Sequence, residues 1–364
     1  MHLVFKLLSL PLLLCLSSCA GLATDLGYYW QSFSGHISLL QAARPVNDWL
    51  DDEQTPEKLK TKLALSQKIR NFAVSELKLP DNPSYQRYAD LKRKAVVWNV
   101  VAAPQLSLKL KTWCFPIAGC VGYRGYFSEE EAKLEAERLK KQDLEVSVYG
   151  VPAYSTLGWS NWAGGDPLLS TFIAYPEGEL ARIVFHELSH QVVYVPDDTG
   201  FNESFASAVE RLGGARWLAS YGSEAAKAEY AVFDGRRKQF RALTRATRDK
   251  LTSIYAKNTS NLAVAGINNQ LLAMKLIVID EFMAQYQQLK TSWGGYAGYD
   301  AWVKQANNAA FGALAAYDDG VPQFEALFEH EGQDWLKFYA AVQKIAQLTK
   351  EARQAALSQY TSSR

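Results

Sequence analysis

Two histidines and a glutamate interrupt an otherwise apolar stretch of the sequence, ARIVFHELSHQVVYV. His186 and His190 stand four residues apart, and Glu187 directly follows the first histidine. Residues four apart share one face of a helix, so both imidazoles can bind one ion. In the H-E-x-x-H pattern the histidines hold zinc and the glutamate takes a proton from water. The stretch therefore predicts His186 and His190 as zinc ligands and Glu187 as a general base.

A catalytic zinc site usually has three protein ligands, and the sequence FNESFASAVERL offers the third. Asn202 is a good helix N-cap, which would place Glu203 in the first turn of a new helix. A turn containing Pro196 and Gly200 would return that helix to the motif helix. We therefore predict Glu203 as the third ligand and one zinc ion per chain as the cofactor.

Two further residues lie below Glu203 on the same helix face, Ser207 one turn away and Glu210 two turns away. Side chains placed there can hydrogen-bond the outward nitrogens of the ligating histidines. Many two-helix zinc peptidases carry an aspartate four residues after the third ligand, where this sequence has Ser207. Glu210 is therefore the better carboxylate candidate. The alternative for the whole motif is a pair of buried histidines with satisfied hydrogen bonds.

The beginning of the chain predicts export. Lys6 precedes an apolar run, Leu7 to Leu16, that is too short to span a bilayer comfortably. The run ends in LSSCA, which resembles the lipobox of bacterial lipoproteins, with Cys19 as the lipidated residue. We expect a signal peptide over residues 1–18 and a periplasm-facing protein anchored in the cell envelope by acyl chains. The alternative is an ordinary cleaved signal in which the cysteine is incidental.

Only Cys114 and Cys120 then remain, and two leftover cysteines in an exported chain predict a disulfide. A redox-active or metal-binding pair is the alternative, although the spacing matches neither C-x-x-C nor a common zinc knuckle. Overall composition adds two constraints. With 364 residues and 48% hydrophobic residues the chain can fill a large core, and its net charge of +1 argues against a nucleic-acid partner.

The first part of the chain mixes helix and strand patterns. A helix is predicted from Glu57 until LPDNPS interrupts the apolar spacing, and a second helix over Tyr85 to Val97. The segment AVVWNVVAAPQLSLKLKTW is β-branched, and DLEVSVYGVPAYSTLGW indicates a strand or strand pair. A charged helix capped near Ser128 lies between them.

From Glu177 onward the pattern is mostly helical. Besides the motif helix, we predict helices over about Asn202 to Tyr221, Ser223 towards Lys257, Leu271 to Leu289, and Asp334 to about Leu348 as the last. No Pro- or Ser-rich linker divides the chain. We therefore predict one α+β unit over residues 19–364, with an α+β part to about 175 and a helical metal-binding and C-terminal lobe over 176–364.

Several blocks together resemble a known family, the predicted aminopeptidases of Gram-negative bacteria. The blocks include GYYWQSFSGHISLLQAARPV, YADLKRKAVVWNVVAAPQLSLKLKTWCFPIAGCVGYRGYF, GVPAYSTLGW, FHELSHQVVYVPDDTGFNESFASAVERLG and FEALFEHEGQDWLKFYAAV. The resemblance covers nearly the whole mature chain. It implies a gluzincin-like zinc aminopeptidase with a zincin-like metallopeptidase core and a peptide substrate. One departure is GWSNWAGGDPLL, which carries extra residues.

The implied reaction needs groups that no motif identifies. A carboxylate must hold the substrate amine, for which Glu145 and Asp166 are candidates, and Tyr154, Tyr255 or Tyr317 could stabilise the oxyanion. The segment GVPAYSTLGW could be an edge strand that pairs with an extended peptide, or an ordinary buried strand with a turn. Two other functions use the same residues: a non-catalytic zinc-binding envelope scaffold or binding module, and hydrolysis of a non-peptide amide.

Overall fold

The computed structural model describes residues 26–115, 119–256 and 265–360, and for residues 265–267 and 316–318 it describes the backbone alone. The predicted signal peptide over residues 1–18 and the lipidation site Cys19 lie outside these ranges. Within the ranges, no helix combines the length and the apolar character needed to cross a bilayer.

The first part of the chain mixes helices with short strands, as predicted. Its elements are α1 (26–42), β1 (Arg44–Pro45), α2 (Val46–Asp51), α3 (Glu57–Ser75), β2 (Arg87–Ala89), β3 (Val97–Pro104), β4 (Trp113–Phe115), β5 (Gly119–Val121), β6 (Arg124–Tyr126), α4 (Glu129–Lys140), β7 (Leu144–Val151) and β8 (Leu168–Leu169). The capped helix after Ser128 is confirmed, because the Ser128 side chain accepts a hydrogen bond from the backbone N–H of Glu131. The helix from Glu57 is confirmed as well.

The predicted helix over Tyr85 to Val97 is wrong. Tyr85 and Lys92 both have positive φ, 65° and 52°, which is incompatible with a continuous right-handed helix. Between them lies the short strand β2, which pairs with β1 on one side and β8 on the other. Its Tyr88 and Ala89 are buried, so their apolar character reflects strand burial and not a helix face.

The second part is helical in every element that the structure describes. The helices are α5 (Glu177–Ser189), α6 (Thr199–Tyr221), α7 (Glu224–Ala256), α8 (Ala265–Ser292), α9 (Asp300–Lys304), α10 (Asn308–Asp318), α11 (Val321–His330), α12 (Trp335–Ala346) and α13 (Lys350–Ser358). The fold class is therefore α+β with a helical C-terminal part, as predicted. The helix predicted as the last one is α12, and α13 follows it.

Strands β6, β3 and β7 form a three-stranded antiparallel sheet in that order. Alternate residues of β3 face opposite sides, so Val100 and Ala102 pack with the apolar face of α4, whereas Val101 and Ala103 pack with Ala309 of α10. Both faces are covered, which explains the almost continuous apolar sequence of β3. Strand β7 pairs with β3 on one side only and forms an edge of this sheet.

Helices α5 and α6 pack closely against each other in the main core. Leu180, Val184 and Leu188 of α5 are buried in this core, together with Phe205 of α6. A Cβ atom at Gly213 of α6 would lie 2.6 Å from Leu77 Cδ1 and 3.0 Å from Phe185 Cδ2, so the contact requires glycine there. The buried faces of the two helices fix the relative positions of the residues that form the candidate site.

Candidate metal and active site

The motif residues lie at the end of α5, with His190 as its C-cap residue. The apolar face of α5 is buried in the core, so the histidines project from its other side towards α6. Their ring centroids are 4.9 Å apart, and the two Nε2 atoms are 3.3 Å apart. The helical spacing therefore brings the two imidazoles together as predicted.

Helix α6 brings Glu203 to the same point, but it begins earlier than predicted. Asp198 is its N-cap residue and accepts a hydrogen bond from the backbone N–H of Phe201, so the predicted N-cap role of Asn202 is wrong. The Asn202 amide instead accepts from the backbone N–H of Val195 and donates to the Val195 carbonyl, both at 2.8 Å. This clamp closes the turn between the two helices, and Glu203 follows it in the second turn of α6.

The three predicted ligands form a compact donor group. Glu203 Oε2 lies 3.3 Å from His186 Nε2 and 3.9 Å from His190 Nε2. Two atoms bound tetrahedrally about 2.05 Å from one ion lie about 3.3 Å apart, so two of the three separations match such an ion. The third separation, 3.9 Å between Glu203 Oε2 and His190 Nε2, corresponds to a wider angle between these two ligands. Two imidazoles and a carboxylate at these distances can hold one metal ion.

The outward nitrogen of His186 is hydrogen-bonded by the carboxylate predicted for that role. His186 Nδ1 lies 3.1 Å from Glu210 Oε2, and the other oxygen of Glu210 accepts from the buried guanidinium of Arg182. Burial opposes the charged form of Glu210, but Arg182 and His186 outweigh this effect and hold its pKa below the ordinary value. Ser207 lines a cavity together with His186 and Glu210. Within the described residues, no hydrogen-bond partner reaches the buried Nδ1 of His190.

Glu187 is buried beside the donor group. Burial raises the pKa of its carboxyl group to about 7, with the negative charges of Glu203 and Asp166 adding to the effect and His186 opposing it. A carboxylate with this pKa can both accept and return a proton near neutral pH. The geometry and the electrostatics of Glu187 therefore suit the general base predicted from the sequence.

Two cavities of about 570 and 350 Å³ meet at the motif helix. His186 and Glu187 line both of them, and so do Val151 and Ala153 at the end of the edge strand β7. The smaller cavity also contains His190 and Glu203 among its wall residues. The reactive residues thus lie in the middle of a cleft that extends to both sides.

The three tyrosines considered for the oxyanion differ in position. Tyr154 lines the smaller cavity, where its hydroxyl contacts His36 Nδ1. Tyr255 is away from the site, since its hydroxyl donates to Asn308 Oδ1 at 2.8 Å within a separate helical cluster. The side chain of Tyr317 lies outside the described residues. Tyr123 and Tyr194 also line the smaller cavity, and no sequence motif distinguished them from the other tyrosines.

Both carboxylates considered for the substrate amine are engaged elsewhere. Asp166 accepts hydrogen bonds from the hydroxyls of Thr156 and Ser160, at 2.7 and 2.9 Å. Glu145 pairs with Lys275 and accepts from the backbone N–H of Asn308. Asp166 therefore anchors a loop, and Glu145 ties β7 to the helical part.

Cys114 and Cys120 face each other across the β4-β5 pair and are joined by a disulfide. The backbone N–H of Cys120 donates to Asp197 Oδ1 at 2.5 Å. Asp197 lies in the turn between α5 and α6, so the disulfide-bonded hairpin is packed against the turn that orients Glu203.

Comparison with known proteins gives one match. A family model described as "Putative aminopeptidase" matches residues 27–357 of the chain. No curated protein and no solved structure matches it.

Proposed function

We infer that this chain, which belongs to the family described as "Putative aminopeptidase", is a zinc-dependent peptidase. The observation that carries the proposal is the donor group of His186, His190 and Glu203, whose atoms lie close enough together to hold one metal ion beside Glu187. Two histidines and a carboxylate are a common ligand set for catalytic zinc, which keeps one further position open. A purely structural zinc site would need no general base.

Zinc bound there would polarise the scissile carbonyl and lower the pKa of a bound water molecule. Glu187 would accept the proton of the attacking water and return it to the leaving amine. Glu210 accepts a hydrogen bond from His186 Nδ1, which would leave Nε2 of that histidine to bind the ion. Tyr123, Tyr154 and Tyr194 line the smaller cavity and are the hydroxyl groups proposed to donate to the oxyanion.

An extended peptide would bind along β7. This strand is an edge of its sheet, and Tyr149 to Ala153 line the larger cavity beside His186. Backbone hydrogen bonds to an edge strand hold a peptide without regard to its sequence, and side-chain pockets then select among peptides. For cellular location, we propose that acyl chains on Cys19 anchor the chain in a bacterial envelope membrane, with the body facing the periplasm.

The substitution Glu187→Gln tests the proposal. It keeps the shape of the side chain and all three ligands, so zinc content should be unchanged while hydrolysis of a peptide library falls about 10²- to 10⁴-fold. Elemental analysis and a digest measured on the same preparations check both parts, with the exposed Glu224→Gln as the matched control. A Glu187→Gln protein as active as the wild type would contradict the mechanism. Zinc binding without any hydrolysis by the wild type would favour the scaffold function.

A further inference from the structure

Helix α1 exposes an apolar face to solvent. Leu26, Trp30 and Phe33 are 67%, 70% and 61% exposed, and their spacing of four and three residues places them on one side of the helix. The rings of Trp30 and Phe33 are neighbours, with centroids 6.5 Å apart. Isolated exposed apolar residues are ordinary, but a contiguous aromatic and aliphatic surface of this kind marks an interaction site.

The orientation of α1 is set by contacts on its other side. The Gln31 amide accepts from the backbone N–H of Phe127 at 3.0 Å, and the Arg124 guanidinium lies 4.0 Å from the centre of the Tyr28 ring. A Cβ atom at Gly35 would lie 2.3 Å from the Phe127 ring, so the helix is seated closely on the body. Leu39 is buried in the main core. The helix is therefore apolar on its solvent side as well as on its packed side, whereas an ordinary surface helix is polar on the side that faces solvent.

The composition of α1 indicates the partner. Residues 26–42 contain no Asp, Glu, Lys or Arg, so charge pairing cannot orient a protein partner on this helix. Trp and Tyr concentrate at the boundary between lipid headgroups and acyl chains, and Trp, Phe and Leu form the apolar face of helices that lie in that boundary. The described part of the helix starts seven residues after Cys19, which is at most about 25 Å along an extended chain. Acyl chains at Cys19 would hold this face next to a bilayer.

We propose that α1 lies on the surface of a phospholipid bilayer and inserts Leu26, Trp30 and Phe33 at the headgroup boundary. Because the helix carries no Lys or Arg and its histidine, His36, contacts Tyr154, the contact depends on apolar burial and not on anionic lipid. The other side of the same helix lines the smaller cavity with Tyr28 and Ser32. Docking of α1 therefore holds the cavity that contains His190 and Glu203 close to the membrane. This proposal goes beyond peptide hydrolysis and shares with the proposed function only the envelope location.

A spin label distinguishes the possible environments of this face. The mature full-length protein would carry a nitroxide at Phe33→Cys or, as the matched control, at Leu336→Cys, an exposed leucine of α12. Each protein is mixed with phosphatidylcholine vesicles, and collisions of the label with oxygen and with a water-soluble nickel complex are compared. The label at position 33 should be reached by oxygen and shielded from nickel, whereas the label at position 336 should be reached by nickel. High salt should leave both unchanged.

Equal access of nickel to both labels overturns the proposal, even if the protein sediments with the vesicles through an anchor at Cys19. Shielding of position 33 from both reagents also overturns it, because a second protein copy then covers the face. Peptide hydrolysis measured on the same samples reports on the peptidase proposal separately. Replacement of Trp30 and Phe33 by serine, compared with Leu336→Ser, provides a second test: only the double variant should lose the blue shift of tryptophan fluorescence caused by vesicles.

Discussion

Glu210 links His186, a proposed metal ligand, to the buried Arg182. One of its oxygens accepts from His186 Nδ1, and the other pairs with Arg182, whose guanidinium also lies 3.9 Å from Glu179 and Asp234. The buried arginine keeps Glu210 ionised, and an ionised Glu210 makes His186 a better electron donor at Nε2. Arg182 thus supports the proposed metal ligand through one intermediate residue.

At this scale we predict that Glu210→Gln weakens zinc binding about 10- to 100-fold, because the hydrogen bond to His186 loses its charged acceptor. Ser207→Ala, on the same face of α6, should change zinc affinity much less. Competition with a chromophoric chelator measures both affinities, and thermal unfolding of each variant shows whether the fold is retained. If Ser207→Ala weakened zinc binding as strongly as Glu210→Gln, the hydroxyl and not the carboxylate would be the important contact.

How far the site could be predicted depends on the sequence distance between its members. His186, Glu187 and His190 share one helix, so their spacing alone places them together. Glu203 was predicted correctly as a neighbour of the histidines, although the predicted N-cap was wrong. The helix starts three or four residues earlier than predicted, but it still returns towards the motif helix. Arg182 and the tyrosines of the smaller cavity could not be assigned, since their roles depend on tertiary contacts that no local spacing encodes.

The α5-α6 pair is the element on which the site depends, and glycine allows its close packing. A Cβ atom at Gly213 would lie 2.6 Å from Leu77 Cδ1 and 3.0 Å from Phe185 Cδ2, so these side chains would have to move, whereas Gly235 of α7 has no atom within 4 Å of the position of its Cβ. Both lie within helices, where alanine is intrinsically better than glycine by about 0.5–1 kcal/mol. The two glycines therefore differ in packing and not in helix preference.

This difference gives a prediction for the free energy of unfolding. Gly213→Ala should lower it by about 1–3 kcal/mol, because the added methyl group overfills the contact between α6 and its neighbours. Gly235→Ala should raise it by about 0.5–1 kcal/mol, since only the helix preference changes. Urea unfolding followed by circular dichroism measures both. Equal effects of the two substitutions would show that the helix contact is looser than the structure indicates.

Element prediction succeeded where local signals and tertiary burial agree. The charged helix after Ser128 has its cap, and the long helix α7 carries its buried residues on one face. The helix predicted over Tyr85 to Val97 is wrong because Tyr88 is buried in the short strand β2. This strand pairs with β1 and β8, which are distant from it in sequence. A three-residue strand offers too little alternation to be distinguished from one turn of helix.

At the scale of the whole molecule, the sheet, the α5-α6 pair and the helical part together form a cleft with space on both sides of His186 and Glu187. An enzyme that requires a free amine needs a carboxylate to bind it near the reacting atoms. In the larger cavity Glu179 pairs with Arg237 at 2.6 Å, and Glu210 pairs with Arg182. Both carboxylates are thus neutralised by arginines that would also repel an ammonium group.

We therefore predict that the enzyme does not depend on a free N-terminus. An N-acetylated peptide should be cleaved within about tenfold of the rate of its unblocked counterpart, because loss of one exposed charge interaction changes the transition-state free energy by about 1 kcal/mol or less. The measurement is the ratio of kcat/KM for a matched peptide pair, with Glu187→Gln as the control for contaminating peptidases. A loss of more than a hundredfold on acetylation would instead require an amine-binding carboxylate in the cleft, and would establish the aminopeptidase specificity that the family description implies.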